Sequence, residues 1–131
     1  TVSGDIDGDG DPDAVIGNWG NAAGGAFILV LRNESDRCGD WVDLALSNRA
    51  GAPNPPGTRV TLVTRCKGGE RRHLREASAQ TTFRGQSGSS FLFGVPKGEK
   101  ILRAELRWPD GRTQVLRNVK RNARTAVHQE G

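Results

Sequence analysis

From Trp41 onward the chain alternates apolar and polar side chains with a period of two, and this pattern constrains the fold more than any other feature. Val42, Leu44 and Leu46 alternate with Trp41, Asp43 and Ala45, while Val60 and Leu62 alternate with Arg59, Thr61 and Val63. Leu102, Ala104, Leu106 and Trp108 alternate with Arg103, Glu105 and Arg107, setting an apolar face against a charged one. Successive side chains leave a pleated strand on opposite faces, so this is the signature of half-buried β-structure. Further strand candidates are Arg71 to Ala77, Ser90 to Phe93 and Arg124 to Gln129. Pro109-Asp110-Gly111 supplies the turn chemistry that returns the chain into Thr113 to Leu116. Short strands bounded by Gly and Pro, with no helical periodicity, predict an all-β fold, either an antiparallel sandwich or a barrel.

The first residues obey a different rule. Asp5-Ile6-Asp7-Gly8-Asp9-Gly10-Asp11-Pro12-Asp13 places a carboxylate at every second position. Ca²⁺ takes six to eight oxygen ligands, which a loop can supply from side chains at positions 1, 3 and 5, a backbone carbonyl at 7 and an oxygen at 9. Those positions are Asp5, Asp7, Asp9, the carbonyl of Asp11, and Asp13. Gly10, at position 6, permits the sharp turn around an ion. An EF-hand needs a bidentate acid at position 12, and that residue is Ile16, so a helix-flanked loop is excluded. Ala14-Val15-Ile16-Gly17 reads instead as a short strand.

The loop resembles the calcium loop of FG-GAP (VCBS-type) repeats, the blades of integrin-like β-propellers, whose D-x-D-x-D-G-x-x-D pattern it matches in full. The resemblance implies a blade-like hairpin in which Ala14 to Gly17 pairs with Ala26 to Arg32. It also implies a division into an FG-GAP-like calcium-binding fragment, residues 1–33, and a second β domain, residues 34–131. A single blade cannot bury both its faces, because repeat units need neighbours. The 131-residue chain contains no Met, which is expected of a processed product or a piece of a longer chain.

Charge is uneven along the chain. Residues 1–33 carry five Asp against Arg32, whereas the remainder carries eighteen Lys and Arg against ten Asp and Glu. The basic part suits a polyanion such as an anionic glycan. Nucleic acid is disfavoured, because no Tyr is present and the four Phe and three Trp form no stacking signature. No apolar run approaches the roughly 20 residues needed for a membrane-spanning helix. Cys38 and Cys66 lack the close spacing of zinc or redox motifs, so a bridge between separate strands is expected. A disulfide and a calcium site agree on an extracellular or periplasmic setting.

Ser47-Asn48-Arg49, Pro56-Gly57-Thr58-Arg59-Val60, Phe93-Gly94, Glu105-Leu106-Arg107-Trp108-Pro109-Asp110-Gly111-Arg112 and Gln114-Val115-Leu116 together resemble the ASPIC/UnbV domain. That domain follows FG-GAP-type repeats in proteins such as cartilage acidic protein and the UnbV proteins of enediyne clusters. The resemblance covers roughly residues 41–128. It departs from the family at Ala50 to Pro56, a Pro-rich variant of the usual acid-and-glycine connection. It implies a secreted structural or interaction module, with accessory work in secondary-metabolite biosynthesis as the alternative, and brings no catalytic residues.

The residues themselves offer little catalytic chemistry. Gly85-Gln86-Ser87-Gly88-Ser89 lacks the last glycine of a nucleophile elbow and reads as a turn. His73 and His128 are too few for a three-histidine metal site, and His73 is expected at the surface. Asp110 reads as a turn former, and Asp40 and Asp43 as solvent-face or loop acids. Asn33-Glu34-Ser35 is a glycosylation sequon. Trp108 is expected in the core, and Trp19, in a Gly-rich stretch, is the candidate for an exposed contact with a protein, upstream blades or a second copy of the chain.

Overall fold

The computed structural model describes residues 1–18, 20, 24–35, 39–79 and 90–131. Trp19, Cys38 and the Gly85–Ser89 segment lie outside the described residues. Two compact units divide the rest, one formed by residues 1–35 and the other by residues 39–79 and 90–131.

The first unit is a three-stranded antiparallel sheet, β1 (Val2–Gly4), β2 (Asp13–Asn18) and β3 (Phe27–Leu31), in that spatial order. Its β2–β3 hairpin is the expected pairing, with Ala14 opposite Leu31 and Asn18 opposite Phe27. β1, three residues long, is too short to show a periodicity, yet it pairs Val2 with Val15 and Gly4 with Asp13. The acidic loop therefore joins β1 to β2, and this register brings its two ends together.

The second unit holds β4 (Gly39–Ser47), β5 (Arg59–Cys66), β6 (Gly69–Glu76), β7 (Phe91–Pro96), β8 (Lys100–Arg107), β9 (Thr113–Leu116) and β10 (Ala123–His128). They form a three-stranded sheet, β10-β4-β7, and a four-stranded sheet, β6-β5-β8-β9. The sheets pack as a sandwich, and among the described residues they close no barrel. Val42 and Leu44 on β4, with Phe93 on β7, meet Val60 and Leu62 on β5 and Leu106 on β8 in one buried cluster. Trp108 completes it, and its indole N–H donates to Gln114 Oε1 at 3.1 Å, satisfying the polar end of a buried ring.

Three features depart from the expected pattern. β10 runs parallel to β4, not antiparallel, with Arg124 in register with Asp43 and Val127 with Leu46. The parallel direction follows from a long return path, which periodicity does not encode. A register shift between β5 and β8 leaves Leu102 unpaired, so that Ile101, not Leu102, lies opposite Thr64 and packs against the core. Asp43 is buried, not solvent-facing, because β4 is the central strand of its sheet. Its Oδ2 lies 3.5 Å from Arg124 Nε, and its Oδ1 has no hydrogen-bond partner.

Truncating Leu62, fully buried between the sheets, to Ala should cost about 2–5 kcal/mol of folding stability. Chemical denaturation checks this. A loss below about 0.5 kcal/mol would place Leu62 outside the cooperative core.

Candidate metal centre

The Asp5–Asp13 loop winds around the Asp5 carboxylate. Asp5 Oδ1 accepts the backbone N–H groups of Gly8 at 2.8 Å and Asp9 at 3.0 Å, and Oδ2 accepts that of Gly10 at 2.9 Å. Three successive donors converge on one side chain only if the chain turns sharply, and Gly8 and Gly10 have φ of 79° and 94°, a left-handed conformation natural to glycine. Asp7 Oδ1 accepts the N–H of Asp9, and Asp9 Oδ1 that of Asp11, continuing the winding by local side-chain-to-backbone bonds.

Asp13 closes the loop from the start of β2. It is buried, and its two oxygens accept the N–H groups of Asn33 and Ile6, each at 2.8 Å. The Asn33 N–H, followed by that of Ile6, holds the Asp13 carboxyl below the usual aspartate range, so its charged form is retained. One carboxylate oxygen from each of Asp5, Asp7 and Asp13 lies within 4.8 Å of the other two. Ligands about 2.3–2.6 Å from a shared ion sit no more than about 5 Å apart, so these three fit one hard cation. A loop of carboxylate and carbonyl oxygens, with no nitrogen or sulfur donor, is the donor set that calcium prefers.

The converging trio contains Asp5, Asp7 and Asp13. The carboxylates of Asp9 and Asp11 are not in it; the expected ligand from Asp11 is its backbone carbonyl. Arg32, which spacing did not single out, stands beside the loop with Nε 3.6 Å from Asp7 Oδ2 and a hydrogen bond to Glu34 Oε1. The glycosylation sequon borders the same site: Asn33 Oδ1 accepts the Ser35 hydroxyl at 2.6 Å.

The remaining candidates separate by role. Asp110 is a turn residue, accepting the Arg112 N–H at 3.1 Å. His73 is half-buried, with Nε2 3.4 Å from Thr64 Oγ1, because its strand turns that side chain away from solvent. The Cys66 thiol is free and lies 3.5 Å from the Gly69 carbonyl; its expected partner, Cys38, is outside the described residues. In the variant connection after Arg49, Asn48 Oδ1 accepts the Ala52 N–H and Thr58 Oγ1 donates to the Pro55 carbonyl, so side chains of the Ser-Asn-Arg and Gly-Thr segments brace the loop themselves.

A family model for ASPIC and UnbV matches residues 46–131. No curated protein matches the chain.

Acid should weaken this architecture. The carboxyls of Asp13, Asp40 and Glu105 are all held below their ordinary values, Asp40 by the Asn122 amide and then Arg121, Glu105 by Arg72 and then Arg103. A group whose folded pKa is depressed stabilises fully above its unfolded pKa, and that contribution is lost as pH falls through the folded value. The melting temperature should hold above about pH 5 and drop progressively below about pH 4. A melting temperature that rises on acidification would contradict this.

Proposed function

Because the chain belongs to the ASPIC and UnbV family, we propose that it is a calcium-stabilised extracellular module for structure and interaction, the ASPIC/UnbV part of a protein with FG-GAP-type repeats. The observation that carries this reading is the convergence of Asp5, Asp7 and Asp13 within a loop wound on backbone N–H groups. Calcium would be architectural here: it offsets the mutual repulsion of the carboxylates and fixes the β1–β2 connection, from which β2 and β3 project. β3 supports the interaction role, since Phe27, Ile28, Leu29, Val30 and Leu31 are all exposed on an edge strand. Its partner in this reading is another protein segment, either neighbouring propeller blades or a second copy.

Ligand linkage supplies the test. Adding Ca²⁺ to chelator-treated protein at about 100 times its Kd should add about 2.7 kcal/mol of stability, with Mg²⁺ a poor substitute because it demands a tighter octahedral shell. A melting temperature unmoved by millimolar Ca²⁺ in scanning calorimetry would overturn the reading.

The extracellular setting has its own test. The Cys66 thiol is free in the structure; its oxidation with Cys38 would close a loop of about 28 residues and contribute about 2–4 kcal/mol. Non-reducing peptide mapping should recover the two cysteines linked, and two alkylatable thiols in native protein would assign the chain to a reducing compartment.

A further inference from the structure

The outer face of the β6-β5-β8-β9 sheet is a grid of arginines arranged against the usual rule for strands. Val60 and Leu62 of β5 face the core opposite Leu106 and Ala104 of β8, so the alternate positions form the outer face. There Arg59 stands directly opposite Arg107 at one end, and Arg65 opposite Lys100 at the other. Like charges directly across a strand pair are destabilising. Between these ends, Arg72 and Arg103 stand in register on either side of Val63, which is fully buried although it points away from the core.

The acids of this face do not balance it. Glu76 pairs with Arg59 at 2.8 Å, Glu105 serves both Arg72 and Arg103, and Glu70 lies 3.6 Å from both Arg65 and Arg103. Six cations thus face three carboxylates, and Arg107 and Lys100 have no ion-pair partner among the described residues. Local rules are broken mainly where a surface serves something other than stability. The two like-charge poles lie six residue steps apart, from Arg59 to Arg65, about 20 Å along a strand.

We propose that this face binds a linear anionic polysaccharide lying along the strands and bridging the two poles. Charge complementarity selects a polyanion, and the planar forks of five arginines suit sulfate and carboxylate oxygens. Single-stranded nucleic acid fits less well, because the outer positions of β5, β6, β8 and β9 include no aromatic ring on which a base would stack. An acidic peptide fits less well too, since an extended peptide gains affinity by pairing with a free strand edge, and a sheet face offers only side chains. None of Asp5, Asp7 and Asp13 takes part, so this proposal and the calcium reading stand or fall separately.

The test is titration of the full chain, with and without Ca²⁺, against size-defined heparin oligosaccharides. Affinity should rise with length until the oligosaccharide spans about 20 Å, fall steeply with salt, and be unaffected by chelation. The double variant Arg107→Gln with Lys100→Gln should lose about tenfold or more in affinity. Its melting temperature should stay equal or rise, because each substitution removes a like-charge pair; a structural role for these residues would lower it. The proposal is overturned by the absence of binding at low ionic strength, by affinity independent of length, or by a double variant that binds like the parent. It is equally overturned if single-stranded DNA or poly-glutamate of matched charge binds more tightly.

Discussion

The seam between β4 and β10 carries the second unit. β4 is its first strand and β10 its last, and they lie side by side in parallel. Asn122 starts the seam from a left-handed backbone, φ 49°, a conformation that Asn tolerates better than most residues. Its Oδ1 accepts the Trp41 N–H, its own N–H donates to the Trp41 carbonyl at 2.7 Å, and its amide nitrogen donates to Asp40. Arg121 extends the junction, bonding both Asp40 and the Glu99 carbonyl. At the far end Gln129 donates to the Ser47 carbonyl. With the two ends of the unit tied, Val127 reaches the core and β4 becomes a central strand, which is why Asp43 is buried. Glu99, in the turn between β7 and β8, accepts Arg121 at its carbonyl and Thr64 Oγ1 and Arg71 Nη1 at its carboxylate, the last two each at 2.6 Å, which fastens that turn to β5 and β6.

Strands were legible in the sequence where one face is wet and the other dry. β8 shows this best: Ala104, Leu106 and Trp108 are buried while charged residues alternate with them. The same strand also breaks the alternation. The alternation places Leu102 inward, but the extra residue at the bulge resets the parity, and Ile101 takes the inward place. A bulge depends on the partner strand, and a period measured along one strand carries no information about its partner. Neighbour identity is likewise invisible in a single chain: Asp43 reads as polar and therefore outward, yet centrality in the sheet decided its burial. β1 was missed because three residues do not establish a period.

The sharp winding of the acidic loop was legible in its spacing, and the structure shows alternate Asp side chains accepting backbone N–H groups of the residues that follow them. A side chain at every second residue with a glycine at the sixth position is what a turn around an ion needs. The structure adds two things that spacing does not supply. Gly8 shares the left-handed geometry of Gly10. Arg32, distant in sequence, brings a positive charge to Asp7 across the β2–β3 hairpin. In a loop of five carboxylates a guanidinium near one of them relieves part of the repulsion, and the same guanidinium hydrogen-bonds Glu34.

Edge strands are ordinarily blunted by charge, proline or a bulge. β3 has none of these along Phe27–Leu31, and Ile28 is 76% exposed. Among the described residues its polar control stands at its exit, where Arg32 reaches toward Asp7 and the Asn33 N–H donates to Asp13. The end of the apolar edge is therefore fastened to the acidic loop through the carboxylate that also closes the loop. Protonation of Asp13 weakens both contacts at once, the one that closes the loop on Ile6 and the one that anchors the exit of β3 at Asn33. Strand pairing with a partner depends on register, because a one-residue shift exchanges the two faces. Asp13 therefore ties the alignment of β3 to the closure of the acidic loop.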